Sequence, residues 1–152
     1  MFRIIELNQY CIMDSKEKLR NAGLRPTRQR MIVADILLNG KNRHFTAEDL
    51  QNDIVKFGEH MSLATVYNCL NKFKKVGIIK QVETLGETAV FDTNITHHHH
   101  FMNEETGELM DFSPKEINLN KLPNIPNGYV KSGLDVIIKL RKRHLNISLK
   151  RF

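Results

Sequence analysis

The spacing of hydrophobic positions in the first ninety residues predicts four helices followed by a β-hairpin. A short helix is expected from Ser15 to Ala22, and a second follows a Thr27 cap in TRQRMIVADILLNG. The segment from Thr46 to Asp49 has the spacing of a capping box and predicts a third helix ending near Gly58. A fourth helix is predicted in SLATVYNCLNKFKKVG, and the runs IIKQVE and TAVFD then form a hairpin. This order of elements is typical of a winged helix-turn-helix.

Beyond Asn94 the pattern becomes rich in strands. The stretch HHHHFMNEETGELMDF predicts a second hairpin, turning at Glu105-Thr106-Gly107, and Pro114 begins a short helical or irregular piece. The stretch GYVKSGLDVIIKLRKR alternates apolar and polar residues, as a half-buried strand does. We therefore predict an α+β chain in three parts: an N-terminal arm over 1–14, a helical domain over 15–93 and a strand-rich domain over 94–152.

Composition and charge narrow the class of partner. The chain of 152 residues has a net charge of +6, which favours a polyanionic partner, although ribosomal and membrane-surface proteins share this bias. The charged residues from Ser62 to Lys80 are all lysines, so that the fourth predicted helix and its end are strongly basic. No apolar run reaches the length of a membrane span and no signal-peptide pattern begins the chain, so we expect a cytoplasmic protein with no membrane partner.

The fourth predicted helix has one apolar face and one polar face. Leu63, Val66, Leu70 and Phe73 form the expected core stripe. The opposite face offers hydroxyls, amides, cations and an aromatic ring, which suit base edges and phosphates in a major groove. The predicted DNA-binding residues are those of this helix and three arginines around the start of the second helix: Ser62, Thr65, Tyr67, Asn68, Lys72, Lys75, Arg25, Arg28 and Arg30. A solvated face of an enzyme or of a protein-binding module explains the composition equally well, but the order of elements favours DNA.

Four consecutive histidines, His97 to His100, are the candidate ligand site. In an extended segment His98 and His100 share one face, and His97 and His99 share the other. Imidazoles suit zinc, iron and manganese, whereas the alternative is a polar surface strand without a ligand. A small metalloenzyme using His98, His100 and an aspartate, and a metal-buffering protein, are further alternatives. No catalytic triad, H-E-x-x-H motif or positioned general base appears, so we do not expect an enzyme.

Several motifs resemble the ferric uptake regulator family of bacterial metal-responsive repressors. The likeness covers roughly 16–142 and rests on LRPTRQRMIVADILL, HFTAEDL, SLATVYNCLNKFKKVGIIKQV, VFD, the histidine run and MDF. It implies a winged-helix DNA-binding domain followed by a small α/β dimerisation domain, in a homodimer that reads an inverted, A·T-rich operator in double-stranded DNA. It also implies that Tyr67 contacts bases, with Ser62 and Thr65 beside it. Asn68 stands where many members carry arginine, so their base preference does not transfer.

The resemblance further implies a sensory site for a divalent metal ion, Mn, Fe or Zn. The matching positions all hold competent ligands: His44, Asp92, His98, His100 and Asp111. The C-x-x-C pairs that give many relatives a structural zinc are absent, and Asn103 and Thr106 stand at the positions of the first pair. We therefore expect no four-cysteine zinc. A second common metal site is doubtful, because no later histidine joins His97 and His99.

Within the family, AGLRPTRQRM, SLATVYN, FDTN and DVIIKLRKR look most like the iron response regulator branch. That likeness implies haem as the iron signal, bound through the histidine run, with His97, His98, His99 and His100 as candidates. Cys11 is followed by Ile12, so the Cys-Pro haem motif of some branch members is missing. The leading prediction is a regulator of iron and haem metabolism genes that loses DNA binding when haem binds. The alternative is a repressor activated by a divalent metal.

Overall fold

Four helices form the first part of the chain, as the hydrophobic spacing predicted. The computed structural model describes residues 15–84 and 86–143. The helices are α1 (15–21), α2 (Arg28–Leu37), α3 (Ala47–Lys56) and α4 (Leu63–Lys75). The predicted N-terminal arm over 1–14, with Cys11, lies outside the described residues.

Short polar side chains begin three of these helices. The Thr27 hydroxyl accepts a hydrogen bond from the backbone N–H of Arg30 at 3.4 Å, and the Ser62 hydroxyl accepts one from Thr65 at 3.2 Å. Thr46 and Asp49 form the predicted capping box, in which each side chain accepts from the backbone N–H of the other, at 3.1 and 2.9 Å. These contacts satisfy N–H groups that have no partner within the helix.

A small antiparallel sheet completes the first unit. Its strands are β1 (His44–Phe45), β2 (Lys80–Val82) and β3 (Val90–Asp92), in the order β1-β3-β2. The predicted hairpin is confirmed as β2 and β3. The pairing of β1 with β3 was not predicted, because two residues are too few to show an alternating pattern.

The core of the first unit lies between α2, α3, α4 and the sheet. Val66, Leu70 and Phe73 of the predicted stripe on α4 are fully buried, and Leu63 is half-buried against the same core. The other large buried side chains come from every element around it: Leu19, Val33, Leu37, Phe45, Leu50, Ile54, Ile79 and Phe91. The first unit is therefore organised around a continuous apolar interior, which fixes the orientation of α4.

The chain divides into two units between Ile95 and Thr96. The second unit contains β4 (His99–Asn103), β5 (Leu109–Phe112), a 3₁₀ turn (Pro114–Glu116) and β6 (Ile137–Leu140). Strands β4 and β5 are the predicted hairpin, paired antiparallel, and β6 lies parallel to β4 on its other side.

The last predicted strand is much shorter than the alternating pattern suggested. Only Ile137–Leu140 is a strand, and no helix or strand occurs over 117–136. The prediction was wrong in length, because β4 is the single neighbour of β6 among the described strands and the preceding segment pairs with none of them. Several apolar side chains are consequently exposed in the second unit: Leu119, Leu122, Ile125, Tyr129, Val130 and Ile138.

Nowhere in the described part of the chain is there a helix with the length and hydropathy that crossing a membrane requires.

Candidate metal centre and nucleic-acid interface

The first unit brings His44 and Asp92 together at one end of its sheet. The two residues face each other across β1 and β3, and the His44 Nε2 atom lies 3.5 Å from an Asp92 carboxylate oxygen. The Asp92 side chain has no exposed surface. A buried carboxylate is stable only when positive charge or hydrogen bonds compensate for its lost hydration, so this pair is a strong candidate for holding a cation.

Backbone and side-chain contacts fix the position of this pair. Thr93 donates its backbone N–H to the Arg43 carbonyl at 3.1 Å, and its hydroxyl accepts from the Arg43 N–H at 2.9 Å. The Arg43 guanidinium pairs with Asp53 of α3 at 2.8 Å. Asp92 itself accepts the backbone N–H of Asn94 at 2.7 Å. The sheet and α3 therefore fix the positions of His44 and Asp92 relative to the helical core.

The second unit brings together His98, His100 and Asp111. The Nε2 atoms of His98 and His100 are 3.0 Å apart, and they lie 3.4 and 3.6 Å from the same Asp111 oxygen. Asp111 faces His100 across β4 and β5, while alternation along the chain puts His98 on the same face. Both imidazoles are buried. This confirms the predicted sharing of one face by His98 and His100.

One hydrogen bond sets the orientation of the His98 ring. Its Nδ1 atom lies 2.8 Å from the Thr96 carbonyl oxygen. Because a carbonyl only accepts, His98 donates from Nδ1, and the lone pair of the neutral ring is then at Nε2, which points to His100 and Asp111. Metal-binding histidines are commonly oriented in this way by a backbone carbonyl.

Within each cluster, the donor atoms are spaced much as ligands around a metal ion are. Ligand atoms about 2.1 Å from a metal lie roughly 3.0 to 3.4 Å apart in octahedral or tetrahedral geometry. The separations of 3.5 Å in the first unit and 3.0 to 3.6 Å in the second fall within about 0.2 Å of this range. Imidazole nitrogen with carboxylate oxygen is a donor set for Zn, Fe(II) or Mn(II). The residues therefore fit a divalent metal.

His97 and His99 occupy the opposite face, as predicted. The two rings meet edge to face with centroids 5.0 Å apart, and His99 also packs against Phe112 at 5.5 Å. His99 is buried, and its Nδ1 atom has no hydrogen-bond partner among the described residues. Burial lowers the pKa of His99, and the neighbouring His97 lowers it further. His99 is thus a neutral imidazole in an aromatic setting.

The polar face of α4 is accessible as the sequence predicted. Ala64, Asn68, Asn71, Lys72 and Lys75 are exposed. Thr65 and Tyr67 are half-buried, and Tyr67 packs partly against the core. Cys69, on the buried side, is a free thiol whose pKa is raised by burial. The described helix therefore presents hydroxyl, amide and ammonium groups outward on a rigid support.

The three arginines predicted as phosphate contacts lie around the start of α2. Arg28 donates from one guanidinium nitrogen to both oxygens of Glu59, at 2.8 and 2.9 Å, and remains largely exposed. Arg30 donates to the Arg25 carbonyl at 2.9 Å. A cavity of about 300 Å³ opens beside Arg30 and is lined by side chains of both α2 and α4, among them Thr65, Asn68 and Lys72. The two helices thus form one polar, basic surface.

Asn103 and Thr106, where the sequence predicted no zinc-binding cysteine, form hydrogen bonds within the turn of the second hairpin. The Asn103 carboxamide oxygen accepts the backbone N–H groups of Glu105 and Thr106, at 2.9 and 3.3 Å. The Thr106 hydroxyl accepts the N–H of Glu108 at 3.3 Å. Gly107 has a φ of +74°, which a glycine adopts without strain. The turn of the hairpin is held by its own side chains.

Sequence reasoning missed three contributors to the site in the first unit. Arg43 and Thr93 extend the pairing of β1 and β3 and so position His44 and Asp92. Lys80 faces Asp92 across β2 and β3, with its Nζ atom 4.0 Å from the carboxylate. None of the three carries a local pattern, although Lys80 had been noted as part of a basic run.

Comparison with known proteins gives a consistent result. The model of the ferric uptake regulator family matches residues 21–131. The chain is 36% identical over 105 residues to the ferric uptake regulation protein of Yersinia pestis, covering 68% of this chain and 71% of that protein. It is 35% identical over 105 residues to the Escherichia coli K12 protein of the same name, again covering 68% of this chain and 71% of that protein.

Solved structures with the same fold include two ferric uptake regulators. The Pseudomonas aeruginosa protein, determined with manganese, aligns with a TM-score of 0.65 and 26% identity, covering 85% of this chain and 98% of that one. The Vibrio cholerae protein, whose crystal structure shows rearranged DNA-binding domains, aligns with a TM-score of 0.65 and 27% identity, covering 84% of this chain and 98% of that one. The predicted α+β class, helical domain first, agrees with these likenesses.

Proposed function

Because the chain belongs to the ferric uptake regulator family, we propose that it binds operator DNA as a homodimer under the control of a divalent metal ion. Membership makes it a metal-responsive DNA-binding regulator and not an enzyme. The observation that best supports metal control is the cluster of His98, His100 and Asp111, whose donor atoms are 3.0 to 3.6 Å apart. Control by a divalent metal was the alternative prediction from the sequence, and the comparisons favour it over a haem response.

We propose that one ion draws its ligands from both clusters. The first unit supplies two donors, His44 and Asp92, and the second supplies His98, His100 and Asp111. Neither set alone reaches the four to six ligands that Zn, Fe(II) or Mn(II) usually takes, whereas the five together provide three nitrogens and two carboxylates. A related protein aligned at 26% identity was solved with manganese, which makes Mn(II) the first ion to test.

The effect on DNA follows from chain connectivity. Asp92 ends β3, and His98 follows it after a short connecting segment, 93–97. When both residues bind the same ion, this segment is fixed at both ends. In a dimer the distance between the two recognition helices must match the spacing of the half-sites. Metal occupancy therefore favours the form of the dimer that binds DNA.

The DNA contacts proposed are the predicted ones. Ser62 caps α4, and Thr65, Tyr67 and Asn68 lie in its first half, from which recognition helices read bases. Lys72, Lys75, Arg25, Arg28 and Arg30 supply cations for the phosphate backbone. Tyr67→Phe removes one hydroxyl and keeps the ring that packs on the core, so we expect weaker binding to operator DNA with unchanged binding to random DNA. Equal losses on both would make Tyr67 a structural residue only.

Dimerisation is supported by the second unit. Its exposed apolar side chains include Tyr129 and Val130, which are 74% and 91% exposed. Such a concentration of exposed apolar surface is typical of a protein–protein interface. A second copy of the chain is the partner proposed, because one recognition helix alone reads too few base pairs for selectivity.

The deciding experiment measures operator binding at fixed salt with metal-free protein, with Mn(II) or Fe(II), and with haem. We expect binding only with the divalent ion. His98→Ala combined with His100→Ala should abolish the response, whereas His60→Ala, which removes an exposed histidine remote from both clusters in sequence, should not. Binding by the metal-free protein that is unchanged by Mn(II) or Fe(II) would overturn the proposal.

A haem response of the iron response regulator type is the second candidate. It is favoured by His99, a buried neutral imidazole whose Nδ1 has no partner among the described residues and which packs on aromatic rings. Histidine nitrogen is a common axial ligand of haem iron. Loss of operator binding on haem addition, with a shifted haem absorbance that His99→Ala removes, would support it. An absorbance unchanged in His99→Ala and lost in His97→Ala would move the haem ligand to His97.

A further inference from the structure

Lys80 lies on the same rung of the sheet as two proposed metal ligands. In the register of β1, β3 and β2, Asp92 is opposite His44 on one side and opposite Lys80 on the other. The Lys80 Nζ atom is 4.0 Å from the same Asp92 oxygen that lies 3.5 Å from His44 Nε2. The Lys80 side chain is 30% exposed, while that of Asp92 is fully buried. One buried oxygen therefore has an ammonium group close to it.

This ammonium and a bound metal have the same electrostatic role. A buried carboxylate that loses its hydration must be compensated by nearby positive charge. Lys80 supplies one positive charge in the protein without metal. A divalent ion ligated by Asp92 supplies two at the same oxygen, and the ammonium of Lys80 then repels it at short range, where screening by water and salt is incomplete.

We propose that Lys80 competes with the metal ion for Asp92 and so sets the concentration at which the site fills. The inference rests on the proposed function in one respect, namely that Asp92 is a metal ligand. Lys80 is a tuning residue and binds no metal itself. When the metal binds, the flexible Lys80 side chain moves away from Asp92 into solvent. The loss of this contact lowers the affinity of the site for the metal. Replacing Lys80 by a neutral residue removes that cost.

The test measures the Kd for Mn(II) from the resonance of the free ion in electron paramagnetic resonance titrations of the full chain. Lys80→Met keeps the length of the side chain and removes its charge, and we expect about tenfold tighter binding, as for the loss of one partly screened like charge. Lys80→Arg keeps the charge and should bind as the wild type does.

The matched control is Lys74→Met. It makes the same change in net charge close to the same hairpin, but the Lys74 Nζ donates to Gln81 Oε1 at 2.8 Å rather than lying at Asp92. Its Mn(II) affinity should equal that of the wild type. Equal tightening in Lys74→Met and Lys80→Met would reduce the effect to overall charge and would overturn the inference.

The melting temperature gives a second readout, which does not depend on the Mn(II) affinity alone. Without metal, Lys80→Met should melt at a lower temperature than the wild type, because Asp92 has lost a compensating charge, and Mn(II) should raise its melting temperature by more. If Lys80→Met does not fold, Lys80→Gln serves the same test. Unchanged or weaker Mn(II) binding in a folded neutral variant contradicts the role of Lys80 while the proposed function stands. A wild-type protein that binds no Mn(II), Fe(II) or Zn(II) overturns both.

Discussion

The two units of this chain bury apolar surface very differently. The first unit encloses a continuous core of aliphatic and aromatic side chains to which every helix contributes. Among the described residues of the second unit, only Leu109 and Phe112 are buried hydrophobics, while the segment from Leu119 to Val130 exposes several large ones. The first unit is therefore stabilised by its own interior, whereas the second has most of its apolar surface available to a partner.

This contrast separates two kinds of stability. Burial within one chain gives a free energy of unfolding that does not depend on concentration. Burial between two copies gives a stability that rises with protein concentration by mass action. We expect the first unit to behave in the former way and the second in the latter.

The largest effect is expected in the core of the first unit. Phe73→Ala removes a fully buried ring from α4 and should lower the free energy of unfolding by about 3 to 5 kcal/mol through lost burial and a cavity. Urea unfolding followed by circular dichroism measures this. Phe57→Ala is the control: that ring is 55% exposed, and we expect a change below about 0.5 kcal/mol. Similar losses in both variants would contradict the burial described for α4.

The next effect concerns the second unit. Val130→Glu places a charge in the exposed apolar segment and should raise the dimer Kd by roughly tenfold or more, that is by about 1.4 kcal/mol, as seen by sedimentation of the metal-loaded protein. Unfolding of the first unit should be unaffected. Ser132→Glu adds the same charge at an exposed polar position and should leave the Kd unchanged. A dimer insensitive to Val130→Glu would place the interface elsewhere.

The smallest effect is expected at a helix cap of the first unit. Asp49→Ala breaks the capping box with Thr46 and should cost about 1 kcal/mol at neutral pH. Glu48→Ala removes a neighbouring first-turn acid that is not part of the box and should cost less. Thermal unfolding compares the two.

The cap also predicts a dependence on pH. The backbone N–H and hydroxyl of Thr46 lower the pKa of Asp49 below its ordinary value. Since the folded state has the lower pKa, the stabilisation is present above the unfolded value, near pH 4, and is lost as the pH falls through the folded value. The difference between wild type and Asp49→Ala should therefore be constant from pH 7 to 5 and shrink in more acidic solution. A difference that persists unchanged at pH 2 would show that the contribution of Asp49 to the cap does not depend on its charge.

Local patterns explain which parts of the fold were predictable. The helices were located because caps and stops are encoded within a few residues, as at Thr46 and Gly58. The sharing of a face by His98 and His100 follows from alternation along one strand. By contrast, the pairing of His44 with Asp92 joins residues far apart in sequence through a strand of two residues, and only resemblance to a family suggested it.

The same distinction explains the errors. The alternation in GYVKSGLDVIIKLRKR indicated a long strand, but strand length is set by available neighbours, and among the described strands β6 pairs only with β4. Lys80 went unrecognised as part of the site for a related reason. Its proximity to Asp92 depends on the register of β2 and β3, which the side chains of either strand alone do not reveal.

The turn of the second hairpin has a practical consequence for chemical analysis. Because the side chains of Asn103 and Thr106 hold the turn with hydrogen bonds, we expect no structural ion there beside the proposed sensing ion. Elemental analysis or native mass spectrometry of the purified protein should then give the occupancy of the proposed metal site directly, as metal per chain. A chelator should remove the metal from that site while the hairpin stays folded. Metal-free protein that can be reloaded can then be prepared without a reducing agent to protect cysteine ligands in the hairpin.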